Sequence, residues 1–118
     1  MKNLIFVFGS NLAGRHGAGA AKAALMEHGA IYGNGHGIQG QSYAIPTKDE
    51  EVNTLPLPKI EKYVEVFLRF AELNPRMTFN VTRIGCGLAG YTDDDIAPMF
   101  ENAPDNCILP AGWRNIKL

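Results

Sequence analysis

Two glycine-rich stretches carry the residue types from which an anion-binding site is built. The first covers residues 8–21 and the second residues 84–91, and each follows an apolar run and precedes a segment of helical character. Glycine lets a backbone approach a ligand closely, and the free N–H groups at a helix N-terminus attract negative charge. We therefore expect the two stretches to line one cleft for a phosphate-containing small molecule.

The first stretch matches neither common phosphate-binding fingerprint. Its glycines at 9, 14, 17 and 19 lack the Lys-Ser/Thr ending of a P-loop. They also lack the G-x-G-x-x-G spacing of dinucleotide-binding folds, and no acidic residue follows on a second strand to hold a ribose. Kinase-like and dehydrogenase-like functions are therefore disfavoured, and the ordinary alternative, glycines that serve only tight turns, stays open.

The length of 118 residues predicts a single domain spanning residues 1–118, and strands that alternate with helices predict an α/β fold. The formal net charge of −1 disfavours general nucleic-acid or membrane binding. Cys86 and Cys107 form no C-x-x-C pair and are expected to be reduced thiols. The opening apolar run is too short for a signal peptide or a membrane span, so we expect a cytoplasmic protein.

The elements that position the glycine stretches follow from hydrophobic periodicity. The first half predicts a buried strand at 4–8, an Ala-rich helix at 18–28 that ends before Gly29, and, over 30–40, a short strand at most and then a mobile glycine-rich loop. A strand at 42–45 should end at Pro46, with a polar surface loop at 47–53. The second half predicts an amphipathic helix at 58–73, a strand at 77–84, a short helix capped by Thr92, a strand at 107–109 and a packed Trp113.

Three segments resemble the macrodomains, the ADP-ribose-binding α/β/α modules. SNLAGRHGAGAA at 10–21 is similar to their first ligand loop, and RIGCGL at 83–88 to their phosphate-wrapping second loop. YAIPTK at 43–48 is similar to the branch that removes ADP-ribose from acidic side chains. The order and spacing match over about residues 4–110. The resemblance implies a three-layer α/β/α sandwich with a mixed, mostly parallel sheet.

The resemblance also implies residue roles. Asn11 would touch the distal ribose, Tyr91 would cover it, and Lys48 would attack the anomeric carbon, with Asp93 or a neighbouring aspartate as the acid or base. The catalytic candidates are thus Lys48, Asn11 and Asp93. The ligand-binding candidates are Ser10, Asn11, Gly14, Gly17, Ala18, Gly19, Ala20, Gly85, Cys86, Gly87, Leu88, Ala89, Gly90 and Tyr91.

The chain also departs from that family. The acidic-residue-specific branch has an aspartate where this chain has Ala89, and the Asp93 cluster has helix capping as its ordinary role. Lys48 stands beside Asp49 and Glu50, which favour a charged amine and a surface role. The usual first strand with its adenine-binding Gly-Asp pair and the closing helix have no counterpart, so we expect a minimal version completed by a partner subunit in a homo-oligomer.

The remaining candidates are weaker. The three histidines show no ligand spacing, so we predict no metal and no cofactor. Arg15 is expected to contact phosphate and His16 to be a solvated loop residue. Cys86 is expected at a helix N-terminus, which lowers a thiol pKa, although simple packing is the alternative.

Three functions remain open from the sequence. The first is a protein that binds ADP-ribose or a related nucleotide derivative, and is a candidate ADP-ribosyl glycohydrolase; its partner would be that small molecule or an ADP-ribosylated macromolecule. The second is a non-catalytic module that senses or sequesters a nucleotide-derived signal. The third is an interaction protein without a small-molecule ligand.

Overall fold

A computed structural model describes residues 3–114, which form an α/β fold with one five-stranded sheet and three helices. The sheet order is β2-β3-β1-β4-β5, in which β2 runs antiparallel to β3 and all other neighbouring pairs are parallel. This confirms the predicted mixed, mostly parallel sheet. The elements are β1 Leu4–Asn11, α1 Gly19–Glu27, β2 Gly37–Gln39, β3 Ser42–Lys48, α2 Leu57–Glu72, β4 Thr78–Val81, α3 Asp93–Ile96 with a 3₁₀ turn at Ala97–Phe100, and β5 Cys107–Ile108.

Strand β1 lies at the centre of the sheet and carries apolar side chains on both faces. Ile5 and Val7 belong to the larger hydrophobic cluster, which includes the buried side of α2. Phe8 belongs to a smaller cluster that α1 completes with alanines such as Ala24. The continuous apolar run that predicted a doubly buried strand is thereby explained.

The two longer helices begin and end within a residue of their predicted bounds. In α1, Ala21 and Ala24 pack on the sheet, and Gly29 follows the helix with a φ of +76°, a value that favours glycine. In α2, the buried residues recur at helical spacing and face the sheet: Ile60, Val64, Phe67 and Ala71. Periodicity predicted α2 because its polar residues all lie on the opposite face.

The prediction that β3 ends at Pro46 is wrong. Pro46 lies inside β3, where it pairs with Ser10 of β1. On the other side of β3, strand β2 pairs no further than Ala44, so a missing N–H at Pro46 interrupts no ladder there. Thr47 is therefore a buried strand residue instead of part of a surface loop, and Lys48 is the last residue of the strand.

The second half of the chain agrees with its prediction apart from the strand lengths. Strand β4 stops at Val81, and a tight turn follows in which the Ile84 N–H donates to the Thr82 carbonyl at 2.8 Å. The Thr82 N–H and hydroxyl both donate to the Val7 carbonyl, at 3.0 and 2.7 Å, and hold the start of the second loop against β1. The Thr92 capping box is present at the start of α3. Trp113 is packed as predicted, with 3% of its surface exposed.

Candidate functional site

The chain order creates a crevice at the carboxyl end of the sheet. From β1 the chain passes through α1 to β3 on one side, and from β3 it returns through α2 to β4 on the other side of β1. The loops after β1 and β4 therefore leave the sheet in different directions, which opens a crevice between them. Open α/β sheets bind ligands at such a switch point. A cleft of about 610 Å³ lies there, a volume within the usual range for small-molecule sites.

The cleft brings together most of the predicted site residues. Both glycine stretches line it, as does the end of β3. The predicted residues at its wall are Ser10, Asn11, Gly17, Ala18, Gly19, Ala20, Lys48, Gly85, Cys86, Gly87, Leu88 and Ala89. Four predicted residues do not line it: Gly14, Gly90, Tyr91 and Asp93.

Asn11 closes the first loop with its side chain. Its Nδ2 donates to the Arg15 carbonyl at 3.0 Å, and its Oδ1 accepts from the Arg15 N–H at 2.9 Å. The Gly14 N–H also donates to the Asn11 carbonyl at 3.0 Å. The amide expected to touch a ribose thus already holds the loop that leads into α1.

The N-terminus of α1 opens into the cleft without a capping side chain. Ala18 occupies the capping position but makes no side-chain hydrogen bond, and the Lys22 N–H donates to the Ala18 carbonyl at 3.2 Å. Residues 19–21 line the cleft, and their N–H groups precede the first helical hydrogen bond. Together with the helix dipole, these donors favour an anion.

Two glycines of the first loop differ in what a side chain would meet. A Cβ at Gly14 would lie 2.3 Å from backbone atoms of Gly33 and Asn34, and the φ of Gly14 is +72°. A Cβ at Gly17 would have no atom within 4 Å, and the same holds for Gly87 in the second loop. Gly14 is thus required by the fold, whereas Gly17 and Gly87 leave open space in the cleft.

The second loop is tied to the turn that follows β3. The Thr54 hydroxyl donates to the Ala89 carbonyl at 3.1 Å, and the Tyr91 hydroxyl donates to the Leu55 carbonyl at 2.7 Å. Tyr91, expected to cover a ribose, is therefore engaged outside the cleft. Val52 in the same turn lines the cleft with a φ of +66°, an uncommon value for a β-branched residue.

Positive charge dominates the cleft although the chain as a whole carries a formal charge of −1. Arg15, Lys48 and Arg83 line it, and none of the described residues at its wall is an aspartate or glutamate. Within residues 3–114 neither Lys48 nor Arg15 has an ion-pair partner, so the carboxylates beside Lys48 in sequence do not pair with it. An anion in the cleft would meet no carboxylate among the described wall residues, although Asp93, just behind the wall, offsets part of the charge of Arg83.

Asp93 is engaged on both carboxylate oxygens. Its Oδ2 accepts from Nη2 of Arg83 at 2.6 Å, and its Oδ1 accepts from Nε1 of Trp113 at 2.9 Å. The Cys86 thiol lies 3.8 Å from the same Oδ1. The geometry thus gives Asp93 a role in holding neighbouring residues, and its predicted part as acid or base stays a prediction.

The expectation of a low thiol pKa at Cys86 is wrong. No helix begins there, since α3 starts at Asp93. Burial raises the pKa of Cys86, and the nearby negative charge of Asp93 raises it further, against a smaller opposing effect of Arg83. Both Cys86 and Cys107 are free thiols. Packing is therefore the better interpretation of Cys86.

His16 is also placed differently from its prediction. It is 1% exposed, lies outside the cleft wall, and has its Nε2 3.0 Å from the Asn34 carbonyl and its ring edge against Phe8. Sequence reasoning gave no ligand role to Thr47, Thr82 or Arg83, which line the wall. Their position at or just after strand ends was the signal that would have found them.

Comparison with family models, curated proteins and solved structures found no match to this chain. Within residues 3–114, no group of three or more His, Cys, Asp or Glu side chains is placed to hold a metal ion. None of the helices in the described part of the chain has the length and apolar character needed to cross a membrane. The cleft itself is therefore the structural basis for inferring a function.

Proposed function

We propose that this protein binds ADP-ribose or a related nucleotide-diphosphate derivative in the cleft between its two glycine stretches. The proposal includes a macrodomain-like, three-layer arrangement, with α1 on one face of the sheet and α2 on the other. The partner would be the free small molecule or an ADP-ribosylated macromolecule. The support comes from the chain's own motifs and from the chemistry of the cleft.

One observation carries the proposal. The uncapped N-terminus of α1 and the second glycine loop line the same cleft, together with Arg15, Lys48 and Arg83 and with no carboxylate among the described wall residues. Backbone donors at a helix N-terminus and guanidinium groups are the usual partners of phosphate oxygens. A volume of about 610 Å³ leaves room for a ligand larger than a single phosphate.

Hydrolysis of an ADP-ribosyl linkage is the catalytic form of this proposal. Lys48 lines the cleft, half-buried, at the end of β3. As a neutral amine, its Nζ would attack the anomeric carbon and displace a carboxylate leaving group, after which water would release the sugar. The reaction requires Lys48 to lose its proton in the complex.

A non-catalytic binding module is the second candidate function, and a specific observation favours it. No described carboxylate lines the cleft to act as an acid or base, and both oxygens of Asp93 are engaged by Arg83 and Trp113. Such a module would need only the two glycine loops to bind its ligand. The ligand would be released without chemical change.

Calorimetric titration with ADP-ribose, AMP and ribose-5-phosphate tests binding. We expect ADP-ribose to bind in the micromolar range and the two monophosphates more weakly. Gly87→Glu should abolish binding because it adds a negative charge at a position with open space. Gly87→Ala is the matched control and should bind as the wild type does. The absence of heat and of any thermal shift with all three ligands would contradict the proposal.

The catalytic form needs a separate assay. We expect Lys48→Ala to retain ADP-ribose binding and to lose release of ADP-ribose from a glutamate-linked peptide, while Lys59→Ala, an exposed change on α2, retains both. If the wild type binds ADP-ribose but releases none from the peptide, the non-catalytic module is the correct function.

A further inference from the structure

A chain of polar contacts connects the end of the described chain with the wall of the cleft. Arg114 donates to the carbonyls of Ala103, Pro104 and Cys107 at 3.2, 3.2 and 2.8 Å, which fixes the preceding residue in place. Trp113 is buried, with its ring centroid 5.3 Å from that of Phe100. Its indole N–H donates outward, to the carboxylate of Asp93.

Asp93 connects Trp113 with Arg83. One carboxylate oxygen accepts from Trp113 and the other from Nη2 of Arg83, so the two contacts set the carboxylate's orientation. Arg83 and Asp93 form the only ion pair within residues 3–114. The side chain of Arg83 remains 59% exposed and lines the cleft.

Arg83 retains donors for a ligand. A guanidinium carries five N–H donors in a planar fork, and the described chain engages it through Nη2. A guanidinium held at one edge loses less conformational freedom when its other donors bind phosphate. We propose that Arg83 binds an anionic group of the ligand and that Trp113 and Asp93 are its positioning residues, so the C-terminal segment sets the affinity of the cleft for phosphate.

This inference rests on the proposed function, and Trp113→Phe tests it without changing any charge. The variant keeps an aromatic ring against Phe100 and removes the N–H that orients Asp93. We expect affinity for inorganic pyrophosphate to fall about threefold or more in Trp113→Phe and about tenfold or more in Arg83→Gln. Asp93→Asn is a poorer test, because it also removes a negative charge next to Arg83.

A double-mutant cycle separates positioning from general destabilisation. In the Arg83→Gln background, Trp113→Phe should cause no further loss of affinity, since the residue it positions is gone. The Arg15→Gln background is the matched control. There, Trp113→Phe should lower the affinity for pyrophosphate by the same factor as in the wild type, because Arg15 lies outside the network of Trp113, Asp93 and Arg83. Equal losses in both backgrounds, or a lower melting temperature with unchanged affinity, would overturn the proposal.

Trp113 is the only tryptophan of the chain, so its fluorescence reports on the same network. Pyrophosphate should change the emission of the wild type and leave that of Arg83→Gln unchanged at saturating ligand. If the wild type binds pyrophosphate but both variants bind it equally well, this inference alone fails. If the wild type binds neither pyrophosphate nor ADP-ribose, the proposed function fails and this inference fails with it.

Discussion

Gly14 and Gly17 stand in the same loop, and the structure assigns them opposite sensitivities to alanine. At Gly14 a Cβ would lie 2.3 Å from the backbone of Gly33 and Asn34, and the φ of +72° is one that residues with side chains rarely adopt. At Gly17 a Cβ would have no atom within 4 Å. Substitution by alanine therefore distinguishes a glycine needed for folding from one that leaves room for a ligand.

The expected cost at Gly14 has two parts. The left-handed backbone disfavours a Cβ by about 1–2 kcal/mol. Relief of the clash would displace Gly33, whose N–H donates to the Gly14 carbonyl at 2.8 Å, at a further cost of about 1 kcal/mol. We expect Gly14→Ala to lose about 3 kcal/mol of unfolding free energy, a fall in melting temperature on the order of 10 °C. Gly17→Ala should stay within about 0.5 kcal/mol of the wild type.

Urea denaturation of the two variants and the wild type measures both changes in unfolding free energy. The comparison requires that the unfolding free energy falls with urea concentration at the same slope in all three proteins. A Gly14→Ala protein as stable as the wild type would refute the close packing of the two loops. Equal destabilisation by both substitutions would refute the assignment of Gly17 to open space.

Three further predictions follow from individual polar groups. Asn106 donates its amide to three backbone carbonyls around the end of α2, so Asn106→Leu should cost about 2 kcal/mol by urea denaturation, and an unchanged midpoint would contradict this. Partial desolvation lowers the pKa of His36, a surface residue, below 6.5, so the unfolded chain binds the proton more readily and stability should fall slightly as pH drops below about 6.5; His36→Gln should flatten that small decline in urea denaturation measured across pH. Burial raises the pKa of Cys107 to about 11, so a thiol reagent at neutral pH should label Cys86 first, and faster labelling of Cys107 would argue against the packing of β5.

The sequence predicted the elements well where the periodicity was regular. Helix α2 separates a buried from a polar face, and β1 is apolar on both faces, so each pattern admits one interpretation. The end of β3 was missed because the tolerance of Pro46 depends on how far β2 extends beside it. That pairing is a tertiary property that no local pattern carries.

Most of the residues that line the cleft were predicted, but the polar contacts around it were not. The two glycine loops meet because both follow parallel strands that end at the same edge of the sheet. The partners of Asp93 could not be predicted, since Arg83 and Trp113 are ten and twenty residues away in the chain. His16 was misplaced for the same reason, because its burial depends on contacts with Asn34 and Phe8.

Amide chemical-shift mapping with ADP-ribose shows directly whether the ligand occupies the cleft between the two glycine stretches. We expect the large shifts to fall in residues 17–21 and 85–89, which line the cleft on its two sides. We expect little change in the groove between α2 and the 3₁₀ turn, where the wall carries Glu61, Glu65 and Glu101. Shifts confined to that groove, or none at saturating ADP-ribose, would contradict binding in the cleft.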